Sequence, residues 1–283
     1  MLSAQNPYTG HIAIIGYGYV GRCMSTLFRN PLVYDPNLAE DQPGVRLCND
    51  QAYINEHTKL AYICVPTPMD DNGACDTSIV EATIRWLEVD VIVICSTVPP
   101  GFTQRMSEET GKNCIHEPEF FGESKHHPWK TGMSKEWVIL GGKKELTGMV
   151  AGVYQSVFSA NVPIIQTDSL SAELAKYMEN SWLATKVSFC NEWFDICKAF
   201  GADYNVIKEL WLMDPRVTRS HTSVDPYDRG YGGKCLPKDV NAIVKAAADN
   251  GTLVPLLTAA LQYVSRQHQE KIENNAKPVK HSP

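Results

Sequence analysis

An α/β fold is predicted, a doubly wound parallel sheet followed by an all-helical region, and three observations predict it. Over the first 167 residues, short apolar runs rich in Val and Ile alternate with stretches of helical periodicity, the pattern of strands covered by helices on both faces. The first run is followed at once by Gly16-Tyr17-Gly18-Tyr19-Val20-Gly21, a turn that opens a helix. After Thr167 the texture changes: no Gly or Pro occurs until Gly201, and apolar residues recur at helical spacing.

Taken in order, the apolar runs place strands at 12–15, 32–34, 60–65, 91–95, 113–116, 137–140 and 163–166. Helices are predicted between them at 19–29, 77–88, 103–110 and 146–159. Residues 1–167 therefore read as a nucleotide-binding, Rossmann-like domain and 168–283 as a helical domain. Asp168 or Ser169 can cap a helix that runs to about residue 200. Its apolar positions Leu174, Tyr177, Met178, Leu183, Val187, Phe194 and Cys197 are joined by Trp182, Phe189 and Trp193, so more than one face is apolar. A helix of about 30 residues is roughly 45 Å long, more than one small domain buries, so a second copy of the chain is expected along it as a homodimer. Shorter helices are predicted at 204–213, 240–250 and 254–273, with a polar loop at 215–229 and a polar tail at 274–283.

With 283 residues, 43% hydrophobic and 20% charged, the chain has enough material for one large or two ordinary cores. A net charge of -6 argues against a general affinity for nucleic acid or an anionic membrane surface. No apolar run approaches the about 18 residues a membrane span needs, and residues 1–10 lack the features of a signal peptide. Nine dispersed cysteines read as reduced thiols of a cytoplasmic protein, and no Cys/His spacing marks a metal site.

The Gly16, Gly18 and Gly21 turn allows a pyrophosphate to approach a helix start closely. Asp35 ends the next strand, 19 residues after Gly16, where a carboxylate can bond both ribose hydroxyls of an adenosine and would repel a 2′-phosphate. No Arg follows until Arg46, so NAD is favoured over NADP. Two more strand ends carry polar turns, Val65-Pro66-Thr67-Pro68 and Ser96-Thr97-Val98-Pro99-Pro100-Gly101, whose hydroxyls at Thr67, Ser96 and Thr97 would face the cofactor crevice. Glu117-Pro118-Glu119-Phe120-Phe121-Gly122-Glu123 packs three carboxylates into seven residues. In a cleft such a group can hold a proton at raised pKa, and otherwise it is a solvated acidic loop. On the long helix Lys176 and Asn180 are four apart, on one face, and both can donate to an oxyanion.

The remaining chemical signal is Gly230-Tyr231-Gly232-Gly233-Lys234-Cys235-Leu236-Pro237-Lys238-Asp239. Glycines bring the backbone close to a ligand, Gly232 among them, and Pro237 suits a first helical turn, so the Cys235 thiol sits where a helix start would stabilise a thiolate. Asp239 shares its face if the helix begins that early. The alternative is a small buried thiol beside a glycine turn.

As a set these residues resemble the UDP-glucose/GDP-mannose 6-dehydrogenase family of nucleotide-sugar dehydrogenases. The segments that carry the resemblance are GYGYVG with Asp35, VPTP with Asp76-Thr77-Ser78, STVPPG, EPEFFGE, Ala172-Glu173-Leu174-Ala175-Lys176 with Asn180 and Leu183-Ala184, Asn191-Glu192, Gly201-Ala202-Asp203, Asp214-Pro215-Arg216-Val217 and GYGGKCLPKD, spanning about 12–244. The resemblance implies a four-electron oxidation of a sugar C6 alcohol to a carboxylate with two NAD molecules in turn, through a thiohemiacetal and a thioester on Cys235. It implies that Lys176 and Asn180 stabilise the oxyanion and that Asp239, Thr97 and Glu119 hold or activate water and relay protons. It places Tyr19, Val20, Asp35, Thr67, Thr97, Glu123 and Lys238 against NAD, Phe120, Phe121, Gly122 and Glu123 along the sugar-phosphate pocket, and Arg216 at the substrate of a neighbouring subunit. The family usually continues into a third domain, so a short form without it is expected. Two rival readings remain: a hydroxyacid dehydrogenase of the β-hydroxyacid type, which needs no cysteine, and an NAD-binding remnant without turnover.

Overall fold

The computed structural model describes residues 12–122, 127, 129–233 and 235–276, with the backbone alone for 266 and 268–276. Strands β1 (Ile12–Ile15), β2 (Leu32–Tyr34), β3 (Arg46–Leu47), β4 (Leu60–Ile63), β5 (Val91–Ile94), β6 (Cys114–His116), β7 (Val138–Gly141) and β8 (Ile164–Thr167) form one sheet in the order β3-β2-β1-β4-β5-β6-β7-β8. Helices α1 (Tyr19–Ser25), α2 (Gln51–His57), α3 (Ser78–Trp86), α4 (Phe102–Thr110) and α5 (Lys144–Val157) connect them. The chain leaves β1 towards β2 on one side, whereas β4 lies on the other, so the order reverses at the carboxyl ends of β1 and β4, the position where doubly wound sheets bind ligands.

The sheet is α/β and Rossmann-like as expected, with one difference. Every neighbouring pair runs parallel except β6 and β7, which meet antiparallel through His116 and Gly141. Parallel strands need a crossover of a dozen or more residues, usually a helix. Between β6 and β7 the described chain forms only a short 3-10 turn, Gly132–Ser134, so no helical crossover reverses the direction. β3 and α2 went unpredicted, because two strand residues and seven helical ones are too short for periodicity to register. Asp50, whose carboxylate accepts the Ala52 and Tyr53 amides as N-cap of α2, was the readable signal.

Alternation along the strands builds two cores. Ile12, Ile14, Tyr62, Val91 and Val93 pack with Met24 of α1 and Val150 and Tyr154 of α5, while Ala13, Ile15, Ile63, Ile92 and Ile94 pack with Ile54, Val80, Ile84 and Met106. Burying each large aliphatic chain contributes about 1.5–3 kcal/mol, which is why these strands read as continuous apolar runs.

The described chain groups into two compact units: residues up to Asp70 with Cys75–Lys176, and Asp71–Ala74 with residues from Tyr177 on. Helix α6 (Ser169–Ala199, 31 residues) starts in the first and continues in the second, followed by α7 (Tyr204–Trp211), α8 (Leu236–Asp249) and α9 (Pro255–Ala276). α6 ends where Gly201 takes φ +68, with Gly201 and Ala202 amides donating to the Lys198 and Cys197 carbonyls. In the second unit Ala184 and Val187 pack with Tyr231, Val240, Tyr263 and Val264, and Cys190 and Cys197 with Tyr204. Met178, Trp182, Phe189, Trp193 and Phe200 of α6 and its end remain exposed. Among the described residues no helix is long and apolar enough to cross a membrane.

Candidate functional site

At the end of β1, Gly16 holds φ +89 and donates its amide to the Tyr34 carbonyl at 2.8 Å. A Cβ there would sit 2.8 Å from the Cys64 carbonyl oxygen, and one at Gly21 would fall on the Gly16 carbonyl, so both positions exclude any side chain. Gly18, the N-cap of α1, has no atom within 4 Å of where a Cβ would be. Two glycines thus close the turn and the third keeps its outer surface clear, the shape a pyrophosphate needs. Asp35 is oriented by the same turn: Oδ2 accepts the Tyr17 amide at 2.7 Å and Oδ1 the Asn37 amide at 2.9 Å. Tyr19 donates its hydroxyl to the Gly122 carbonyl at 2.7 Å, and Val20 packs on the core beneath the turn. This geometry fits a dinucleotide with an unphosphorylated adenosine ribose.

Beside it, Val65 is half-buried, Pro66 exposed and Thr67 buried at the end of β4. Of the three hydroxyls expected at the crevice, that of Ser96 donates to the Val65 carbonyl at 2.7 Å and so ties two strand ends together. Thr97 is half-buried, with its carbonyl accepting from the Cys75 thiol at 3.3 Å.

Beyond β6 the acidic segment is not a solvated loop. Glu117 and Glu119 are 0% and 5% exposed, and the Lys135 ammonium bridges them at 2.6 and 2.7 Å. Tyr154 donates its hydroxyl to Glu117 Oε2 at 2.6 Å. Burial first, then the Glu117 charge, push Glu119 up to about 8 against the pull of Lys135. Burial works to lower the Lys135 pKa, but the two carboxylates outweigh it and hold the ammonium well above its ordinary value. Phe120 is buried edge-on against Trp129 and Trp137, and the Lys176 ammonium lies 4.7 Å above its ring. Phe121 and Gly122 are half-buried, and a Cβ at Gly122 would strike the His127 ring. Glu123 and Lys234 lie outside the described residues. His116 is held neutral by burial, its pKa pushed down to about 3.

Lys176 stands one turn before Asn180 on α6, both on one helical face as the spacing predicts. Within the second unit α8 begins at Leu236, four residues earlier than expected, which makes Cys235 its N-cap, and the Asp239 amide bonds the Cys235 carbonyl at 2.9 Å. Cys235 is exposed, while seven of the other cysteines are buried and Cys48 is half-buried, so the buried-thiol alternative fails. Asp239 is 1% exposed and accepts from Asn180 Nδ2 at 2.6 Å and from Lys238 Nζ at 2.5 Å. Lys238, expected against the cofactor, is thus engaged with Asp239. Gly232 is exposed with open space around it, and Arg216 is exposed and paired with Asp214.

Four residues that shape these groups went unassigned in the sequence. Arg229 donates to the Asn191 side chain and backbone and to Asp195, lies over the Phe194 ring, and with the Gly230 amide on Asn191 Oδ1 anchors the start of the cysteine turn to α6. Asn191 stood in a matching segment without a role, and nothing distinguishes Arg229 from any arginine in a polar loop. Glu173, in the Ala172–Lys176 segment, accepts the Gly101 and Thr103 amides at 2.5 and 2.9 Å and so caps α4. Lys135 carried no signal, since its partners are 18 and 16 residues away.

Two family models match: the NAD binding domain of the UDP-glucose/GDP-mannose dehydrogenase family over residues 40–158 and its central domain over residues 170–264, together more than half of the chain. UDP-glucose 6-dehydrogenase TuaD of Bacillus subtilis is 29% identical over 90% of this chain, and GDP-mannose 6-dehydrogenase of Pseudomonas savastanoi 29% identical over 93%. The chain spans 63% of the length of the former and 69% of the latter. The solved structure of a UDP-glucose dehydrogenase from Pyrobaculum islandicum shares the fold, with a TM-score of 0.78 at 23% identity over 93% of this chain and 69% of its own. The glycine turn, the acid at the end of β2 and these matches lead to one conclusion: the chain belongs to the UDP-glucose/GDP-mannose dehydrogenase family of NAD-dependent nucleotide-sugar dehydrogenases, and its cofactor is NAD.

Proposed function

We propose that the protein oxidises the C6 alcohol of a nucleotide sugar, UDP-glucose or a close relative, to the carboxylate in two successive steps, with Cys235 as nucleophile. One observation carries this reading: the exposed Cys235 stands at the N-cap position of α8 while Asp239, one turn on, is buried and fixed by Asn180 and Lys238. A hydroxyacid dehydrogenase has no use for this arrangement.

Gly16, Gly18 and Gly21 would hold the pyrophosphate of NAD and Asp35 its adenosine ribose, with Tyr19, Val20, Val65, Pro66, Thr67, Thr97 and Glu123 around it. When bound, NAD accepts a hydride from the carbon being oxidised, once from the alcohol and once more from the aldehyde level. Cys235 adds through sulfur to the aldehyde, giving a thiohemiacetal whose oxygen carries the developing charge, and a helix start favours that charge. Lys176 and Asn180 donate to that oxygen. Loss of the second hydride leaves a thioester, which water cleaves to free the carboxylate and restore the thiol. Asp239, Thr97 and Glu119 hold or activate that water and relay its proton, which ends on a carboxylate. Phe120, Phe121, Gly122, Glu123 and Gly232 contact the sugar phosphate. The exposed apolar stripe of α6 buries against a second copy, which brings Arg216 to the neighbour's substrate.

Incubation with UDP-glucose, GDP-mannose and small hydroxyacids, counting NADH formed per substrate consumed, tests the reading. The expected count is about two with a sugar nucleotide, whereas a hydroxyacid enzyme gives about one and a non-turnover protein none. Cys235→Ser is expected to stall after the first hydride, and undiminished NADH production by that variant refutes the nucleophile.

A further inference from the structure

Among the buried charged groups that the mechanism leaves unused is the Lys135 ammonium, and the two carboxylates it joins are not equivalent. Glu117 has both oxygens satisfied, Oε1 by Lys135 and Oε2 by Tyr154. Glu119 gives Oε1 to Lys135, while its Oε2 is buried and has no hydrogen-bond partner among the described residues. A buried carboxylate oxygen without a donor is costly, and it accounts for itself most simply as a place where a proton arrives.

We propose that Lys135 is a positioning residue: it fixes Glu119 through Oε1, with Glu117 as the second carboxylate on the same ammonium, so that Glu119 Oε2 is the atom that accepts the proton released in the reaction. The inference rests on the reading that Glu119 serves that reaction, and it adds the device that sets when Glu119 is ionised. In the step itself an O–H bond of water or alcohol breaks, the proton passes to Oε2, and the carboxylate becomes a carboxylic acid while Lys135 keeps its own protons.

The surroundings leave few groups to set that ionisation. Cys23 of α1, Tyr62 of β4, Cys95 after β5 and Tyr154 of α5 face the carboxylates. Burial pushes Cys23 up to about 11 and the other three well above their ordinary values, so all four stay neutral through the working range. Lys135 and Glu117 are therefore the charges that act on Glu119, one favouring its ionised form and the other opposing it. The Lys135 ammonium also lies over the Phe121 ring at 5.2 Å, which leaves it little room to swing away.

The test compares wild type with Lys135→Met, Lys135→Arg, Glu117→Gln and Glu119→Gln by two readouts: the pH dependence of kcat/KM for NAD reduction with UDP-glucose, and the carboxyl stretch in infrared titration, assigned by its loss in Glu119→Gln. Lys135→Met is expected to move the Glu119 midpoint and the rising limb of activity up by about one pH unit or more, Glu117→Gln to move both down, and Lys135→Arg to restore them. The opposite signs keep the proposal testable if Lys135→Met does not fold. Activity lowered equally at every pH, with the infrared midpoint unmoved in Lys135→Met and Glu117→Gln, overturns it and leaves a merely structural ion cluster. An infrared midpoint that moves while the kinetic limb stays in place refutes the catalytic use of Glu119, and with it that part of the proposed function.

Discussion

The two chemical groups of this protein are built by opposite means. The acid cluster of the first unit is made of core: Glu117, Glu119 and Lys135 are each 5% exposed or less, and their geometry follows from the packing of β6, α5 and the 3-10 turn. The cysteine turn of the second unit is made of surface: Cys235 is exposed, and the turn is strung between two side-chain anchors, Arg229 on Asn191 and Asp239 on Asn180. A buried ion cluster gains precision because a lost partner leaves an uncompensated charge in low dielectric. A tethered turn keeps its nucleophile open to substrate, and its precision depends on a few directional hydrogen bonds.

The largest expected break in this comparison is Lys135→Met. Leaving buried Glu117 without its counter-charge and Glu119 Oε1 without its donor should cost about 3–5 kcal/mol, read as a fall in the denaturant midpoint without a change in slope. Cys235→Ser should do the converse, leaving the midpoint within about 0.5 kcal/mol of wild type while steady-state turnover falls by about 10³-fold or more. Equal loss of stability in the two variants would erase the distinction.

Arg229→Ala probes the tether. It deprives the buried Asn191 of a partner and should cost about 1–3 kcal/mol, with faster amide exchange from Gly230 into the first turn of α8 and little change in the sheet. Exchange that rises evenly through both units would show that the turn is not separately held.

An effect that appears only in acid sharpens the first unit alone. His116 has a folded pKa of about 3 against an ordinary 6.5, so its contribution to stability is complete above pH 6.5 and is lost as pH falls towards 3. The slope is up to about 1.4 kcal/mol per pH unit over that window. His116→Gln should flatten the acid limb of a stability curve by about that amount, and an unchanged limb would reassign it to other groups.

What is legible in this sequence rests on local rules. Gly16, Gly18 and Gly21 after a strand gave the nucleotide turn because the steric demand on each glycine is local. Val91–Ile94 gave a central strand because burial on both faces leaves no polar position. Lys176 and Asn180 shared a face because helical spacing is fixed. Cys235 as N-cap followed from Pro237, although the helix began four residues before the position assigned to it.

By itself, then, the sequence determined the long helix and the NAD turn with Asp35, because these rest on spacing within neighbouring elements, and the α/β class and the family, because their patterns and motifs recur in order along the chain. Tertiary structure alone decided the antiparallel entry of β7, the pairing of Lys135 with Glu117 and Glu119, the anchoring of Gly230 by Arg229 and Asn191, and the Glu173 cap on α4. Those contacts join residues 16 to 72 positions apart. A buried charge must find its partner wherever the packed chain brings one, and no periodicity in the sequence records which residue that will be.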